Sequence, residues 1–387
     1  MAASRESAIR FIVALGAISL FADVTYEGAR SANGPFLGSL GASAAIVGIV
    51  SGAGEFAGYL LRLFSGIAAD RTRAYWRLTI VGYFINLLAV PCMALAGHWT
   101  VAAALIIAER AGKAIRTPAR DVMLSQASKI VGRGWGFGLH EFMDQLGAFV
   151  GPLLVAFVLA RTHRYSQAYA VLAIPAGLAL ASLFTAIKFY PDPSRFEESK
   201  GAAVTASGLP RAFWIYMAAA GLLAAGFVDF PLIAFHFNKT SLAPQAEIPI
   251  FYSAAMGVEA ITALVFGKLF DRMGMAALIL GVVFSAASSP LVFFGSFYAA
   301  LAGMALWGAG MGAQQSLLRA KIADLVPAER RGYAYGIFNT AYGVLWFAGS
   351  SAIGILYGQS LTSAVVFAMA AQLASIPLLL MVGRKSA

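Results

Sequence analysis

Gly66-Ile-Ala-Ala-Asp70-Arg71-Thr-Arg73 closes one long apolar stretch, and another begins after Arg77. The chain carries the pattern twice. Its echo, Gly267-Lys-Leu-Phe-Asp271-Arg272-Met-Gly274, again lies between two apolar stretches. A Gly, an Asp and an Arg in a short turn between apolar helices make a structural part rather than a catalytic one. One such hinge in each half points to a duplicated membrane protein.

Composition agrees. The 387 residues are 60% hydrophobic and 12% charged, with a mean hydropathy of +0.76. A soluble domain carries about 25% charged residues, and half of that is too little to coat a surface of this size in water. Apolar stretches of roughly 20 residues recur from end to end, each long enough to cross about 30 Å of hydrocarbon. Helices are expected at roughly 8–29, 43–66, 77–97, 99–124, 135–160, 166–187, 212–236, 249–270, 275–295, 297–320, 333–357 and 361–383. The expected fold is an all-α membrane protein, twelve transmembrane helices in two pseudo-symmetric six-helix bundles. The bundles span 1–189 and 211–387, and residues 190–210 join them. That joint opens with Tyr190-Pro-Asp-Pro-Ser-Arg, and its Pro, Gly, Ser and charge content marks a linker.

The net charge of +10 would suggest nucleic acid in a soluble chain. In a membrane protein it reads as basic cytoplasmic loops. Arg71, Arg73, Arg77, Lys129, Arg133, Lys188, Arg195, Lys200, Arg211, Arg272, Arg330, Arg331, Arg384 and Lys385 fall in one set of loops, against Arg161, Arg164 and Lys239 in the other. Both termini and the linker are therefore expected in the cytoplasm, with the chain in the inner membrane and the first helix retained. The single cysteine, Cys92, excludes an intramolecular disulfide or a Cys metal cluster.

The halves match beyond the hinge. Arg133-Gly134-Trp-Gly-Phe-Gly138 opens the fifth helix as Arg331-Gly332-Tyr-Ala-Tyr-Gly336 opens the eleventh. Arg120 has a counterpart in Arg319, and Glu55 has one within a turn of equivalent depth in Glu259.

Charges inside a bilayer are costly, so they face a cavity and pair there. Asp23, Glu27 and Arg30 share one face of the first helix, and Glu55 and Arg62 share one face of the second. The fourth helix holds Arg110, Lys113, Arg116 and Arg120 within about a third of its circumference. His140, Glu141 and Asp144 stand on the fifth, Asp229 on the seventh and Glu259 on the eighth. Asp23, Glu27, Glu141 and Asp144 are the candidate proton carriers, since a buried carboxylate beside an arginine can trade its proton against a substrate. Arg30, Glu55, Arg62, Arg110, Lys113, Asp229 and Glu259 are the candidate substrate contacts. The competing reading is of ion pairs that hold helices together, and it is favoured for Arg116, Arg120, Asp121 and Arg319. His140 lacks a second histidine nearby and reads as an ordinary hydrogen-bonded group, so no metal site is expected. Gly147-Ala-Phe-Val-Gly151-Pro152 flattens one face of the fifth helix and bends it.

Gly-x3-Asp-Arg between the second and third helices of each half resembles the loop signature of the major facilitator superfamily. The resemblance covers nearly the whole chain. Gly147, Gly151 and Pro152 resemble the antiporter signature of exporters in that superfamily. Asp23-Val-Thr-Tyr-Glu27, Arg110-Ala-Gly-Lys113-Ala-Ile-Arg116-Thr-Pro118-Ala-Arg120-Asp121 and Phe137-Gly-Leu-His140 through Asp144 are similar to a bacterial branch of efflux or resistance permeases. The resemblance implies that Gly66, Asp70, Arg71, Gly267, Asp271 and Arg272 serve gating, and that Arg110 is the helix-4 arginine tied to proton coupling. The chain departs from the pattern at Thr72 and Arg73, where a Gly followed by bases is usual, and at Met275, where a base is usual.

No P-loop, His-Glu-x-x-His or Gly-x-Ser-x-Gly occurs, which disfavours an ATP-driven pump and an enzyme. The expectation is a secondary transporter without cofactor, a monomer whose partners are the lipid bilayer, protons and a small-molecule substrate. Proton-coupled export of a small amphipathic or charged compound leads. A proton-driven symporter importing a metabolite and a non-transporting receptor or assembly factor on the same fold are the alternatives.

Overall fold

The computed structural model describes residues 5–191, 208–327 and 331–383, and among them there is no β-strand. The chain runs through α1 (Arg5–Ser39), α2 (Ala44–Thr72), α3 (Tyr75–Cys92), a short 3-10 turn (Met93–Leu95), α4 (Trp99–Val131), α5 (Arg133–Thr162), α6 (Tyr165–Val171) and α7 (Ala173–Phe189). It continues through α8 (Arg211–Gly226), α9 (Phe230–Lys239), α10 (Ile248–Met273), α11 (Met275–Phe294), α12 (Phe297–Leu325), α13 (Arg331–Gln359) and α14 (Leu361–Gly383). Helices α6 and α7 form one crossing, Tyr165–Phe189, and α8 and α9 another, Arg211–Lys239. Among the described residues ten segments are long and apolar enough to cross a membrane. Adding the more polar α4 and α12 gives twelve, the all-α membrane fold expected. Only helices can span hydrocarbon here, because each pairs its own backbone N–H and C=O groups.

Contacts divide the chain into two compact units, one covering Met1–Asn33 and Leu60–Gly201, the other Gly34–Tyr59 and Ala202–Ala387, each as far as it is described. Most of the linker, 192–207, lies outside the described residues. At its start the Tyr190 carbonyl accepts a hydrogen bond from Trp76 Nε1 at 2.9 Å.

Three expectations need correction. The first helix does not stop near residue 29 but runs to Ser39, straight through Pro35. A proline inside a membrane helix is tolerated because neighbouring helices and Ser or Thr hydroxyls re-satisfy the backbone group it frees. The hinge motifs are not loops: Gly66 to Arg71 occupy the last turns of α2, and Gly267 to Arg272 the last turns of α10. The turns proper are Arg73-Ala74 and Gly274. Thirdly, the seventh crossing is not continuous: Phe227, Val228 and Asp229 lie outside both α8 and α9, with Phe227 and Asp229 extended. Hydropathy does not register such a break, since a window average over Arg211–Lys239 stays strongly apolar despite the single charge of Asp229.

Candidate functional site

In the first unit, α1 and α4 run antiparallel with their polar faces matched. Arg120 Nη1 donates to Ser19 Oγ at 2.9 Å. Two turns along α1 and back along α4, Lys113 Nζ stands 3.4 Å from Glu27 Oε1. Between these rungs lie Asp23 and Arg116, both buried. Asp23 accepts a hydrogen bond from Tyr26 Oη and sits in the field of Lys113 and Arg116. Lys113 Nζ lies 3.8 Å from the centre of the Tyr26 ring. Such cation–π contacts hold a charge without neutralising it.

Arg116 is fully buried. Its Nη1 donates to Tyr83 Oη at 3.0 Å, and its guanidinium lies 4.2 Å from the centre of the Tyr83 ring. Nε and Nη2 find no hydrogen-bond acceptor among the described residues. The position is fixed by close packing of α3 on α4, for a Cβ on Gly82 would fall 2.6 Å from Arg116 Cβ. Arg116 and Arg120, for which the sequence favours ion pairs that hold helices together, stand in the same polar network as Asp23 and Asp144. The side chain of Arg319 lies outside the described residues.

Helix α5 adds Asp144 and His140. Asp144 Oδ2 lies 3.6 Å from Arg120 Nη1 and 3.5 Å from His140 Nδ1. Asp144 Oδ1 is buried without a hydrogen-bond partner. Asp121 Oδ1 takes Arg120 Nε at 3.1 Å and Nη2 at 2.9 Å. Glu141 stands apart: it is exposed and accepts from Gln145 of its own helix at 3.2 Å. Gly147 and Gly151 bring α5 against α1, because a Cβ at either would meet a backbone carbonyl, Leu20 or Val24, at 2.4 Å. The Gly-Pro motif of the fifth helix thus packs α5 against the segment of α1 that carries Asp23.

The expected bases continue up α4. Arg110 Nε lies 3.4 Å from Glu109 Oε2, and Asn86 Nδ2 donates to Glu109 Oε1 at 2.8 Å. Glu109 is buried in the field of Arg110, Lys113 and Arg30. Sequence reasoning missed it, though a signal was present. Positions 109, 113, 116 and 120 fall within about 60° of one another at 100° per residue, a tighter face than one begun at Arg110. Tyr83 and Ser19 carried no such signal, since neither is charged. Arg30 and Arg62 are half-buried in this same unit.

The second unit holds the remaining acids. Asp229, at the break before α9, accepts Trp346 Nε1 at 3.1 Å on each carboxylate oxygen and Ser350 Oγ at 2.5 Å. The break is held elsewhere as well: Trp307 Nε1 donates to the Val228 carbonyl and Gln372 Nε2 to that of Gly226, both at 2.9 Å. Glu259 is buried and accepts from Gln315 Nε2 at 2.7 Å. Glu55 is half-buried in this unit. Asp70, Arg71, Asp271 and Arg272 are all exposed. Among the described residues no group of three His, Cys, Asp or Glu converges as a metal site would need.

The family model described as Major Facilitator Superfamily matches residues 13–350. An uncharacterised protein of Mycobacterium tuberculosis is 42% identical over 376 residues, spanning 96% of this chain and 92% of its own length. An uncharacterised MFS-type transporter of Methanocaldococcus jannaschii is 24% identical over 352 residues, 89% of this chain and 87% of that one. Among solved structures, the nucleoside transporter NupG superposes with a TM-score of 0.74 at 14% identity, covering 97% of this chain and 98% of that one. An auto-inhibited peptide transporter of the POT family superposes with a TM-score of 0.71 at 13% identity, covering 97% and 96%. At these identities the structures share the fold.

Proposed function

The chain belongs to the Major Facilitator Superfamily, a family of membrane transporters, and on that premise we propose that it is a proton-coupled antiporter exporting a small amphipathic or charged compound by alternating access. The observation that carries the reading is the set of carboxylates Asp23, Glu27 and Asp144, each placed among bases of α4 inside one helix unit. Such a carboxylate holds a proton or a charge pair but not both, so its occupancy can be exchanged for a substrate's charge. Asp144 fits best, because one of its oxygens has no partner while the other is only loosely held. Glu141, exposed, is the weakest of the four acids. Arg110, Lys113, Arg30, Arg62, Glu55, Asp229 and Glu259 serve as counter-charges or substrate contacts. Asp70, Arg71, Asp271 and Arg272, with the helix-end glycines Gly66 and Gly267, steady the cytoplasmic gate of a monomer whose termini face the cytoplasm of the inner membrane.

The test is proton movement in proteoliposomes loaded with a pH dye and challenged with cationic drugs, organic anions and divalent metals. Antiport requires substrate-triggered proton flux opposite to substrate movement, abolished in Asp144→Asn and Glu27→Gln with the protein still inserted. Flux in the same direction as substrate would make the chain a symporter. Unchanged flux in both variants would remove these acids from the coupling machinery.

A further inference from the structure

His140 lies in the network without being one of its charge carriers, and its neighbours fix where its proton sits. Ser19 Oγ has three polar partners among the described residues: Arg120 Nη1 at 2.9 Å, His140 Nε2 at 3.1 Å and Tyr83 Oη at 3.4 Å. Tyr83 Oη has two, Ser19 Oγ and Arg116 Nη1. A guanidinium only donates. Arg120 therefore fills one lone pair of Ser19, and Arg116 one of Tyr83. If Ser19 gave its hydrogen to Tyr83, the phenol hydrogen would be left buried with nothing to accept it. The arrangement that satisfies every group has Tyr83 donating to Ser19 and Ser19 donating to His140 Nε2. His140 then carries its single proton on Nδ1, the nitrogen 3.5 Å from Asp144 Oδ2.

We infer that His140 is a positioning residue, held neutral as the Nδ1–H tautomer by Ser19 and Tyr83, and that it directs proton exchange at Asp144 to Oδ1. Oδ2 faces two N–H groups, those of Arg120 and His140, whereas Oδ1 faces none. The charged and titratable groups around the imidazole are Arg116 and Arg120 from α4, Tyr83 from α3 and Asp144 from its own helix, with Ser19 the polar contact from α1. The inference rests on the proton-coupled reading for its role in transport, but the tautomer stands independently of it.

The experiment is 15N NMR of histidine-labelled full-length protein in nanodiscs, between about pH 5 and 8, the range in which an ordinary histidine changes charge. The expected spectrum assigns His140 a protonated Nδ1 and a bare Nε2 throughout. Ser19→Ala removes the donor to Nε2 and should give a mixture of tautomers, while Ser19→Thr should restore the single form. In proteoliposomes, Ser19→Ala should lower substrate-driven proton flux several-fold with substrate affinity unchanged, and Ser19→Thr should recover it. An imidazolium or an Nε2–H tautomer in the wild type would overturn the inference. So would equal flux in Ser19→Ala and wild type. Absence of any proton flux in the wild type, with the expected tautomer present, would overturn the coupling reading and leave the assignment of the proton intact.

Discussion

Arg120 Nη1 stands 3.6 Å from Asp144 Oδ2 and so ties α4 to α5, yet the same guanidinium gives Nε and Nη2 to Asp121. The two partners are therefore unequal in what they lose. Arg120→Ala strips the counter-charge from both acids and a donor from Ser19, and should cost about 1–3 kcal/mol, the range for leaving a largely buried polar group unpaired. Asp144→Asn leaves Arg120 held by Asp121 and Ser19 and should change stability little. Thermal unfolding of the two variants in the same detergent checks the asymmetry, and equal losses would contradict it.

Gly147 admits no side chain. Gly147→Ala would set a Cβ 2.4 Å from the Leu20 carbonyl and 2.8 Å from Asp23 Cβ, so α5 must move off α1. Gly267→Ala meets nothing within 4 Å. Fluorescence-detected gel filtration should show loss of the monodisperse peak, or a much lower melting temperature, for the first and not for the second.

Arg73 and Gly274 occupy the same place in the two hinges, three residues after the motif aspartate, and both have positive φ, 52° and 55°. Arginine is there in the left-handed region that costs an L-residue about 1–2 kcal/mol. Arg73→Gly should therefore stabilise the protein by about 0.5–1 kcal/mol. Gly274, at φ 55° and ψ −127°, adopts a conformation that favours glycine still more strongly, and Gly274→Ala should destabilise the protein by about 1–3 kcal/mol. Shifts of melting temperature in opposite directions are the expected result, and shifts of the same sign would place the strain elsewhere.

Asp229 anchors the break between α8 and α9 to α13. Asp229→Asn replaces one accepting oxygen by an NH2 group that faces Trp346 Nε1–H or Ser350 O–H, at a cost of about 1–3 kcal/mol. The loss should appear as earlier unfolding together with a shift in tryptophan emission. Trp346→Phe, which removes a donor without adding another, should cost less.

The hinge repeat, the positions of the crossings and the concentration of charge on α1, α4 and α5 were all legible in the sequence. Each rests on local chemistry: a run of apolar residues, a helical period, a Gly beside an Asp-Arg pair. The site was legible only in its charged members. Tyr83 and Ser19 act through the hydrogen bonds they make across helices, and an uncharged side chain in an apolar stretch gives no sign of its partner. Glu109 was legible by period but hidden beside Arg110.

By itself the sequence determined that this chain is a twelve-crossing helical membrane protein of duplicated halves. Hydrocarbon leaves a polypeptide of this composition few other ways to satisfy its backbone. Only the tertiary structure decided which charges meet. The register of α1 against α4 sets Ser19 on Arg120 and Glu27 on Lys113, and the glycine contacts of α5 bring that helix onto α1 beside Asp23. Helical period places residues on a face, but which face meets which, and at what height, is settled by close packing between helices far apart in the chain.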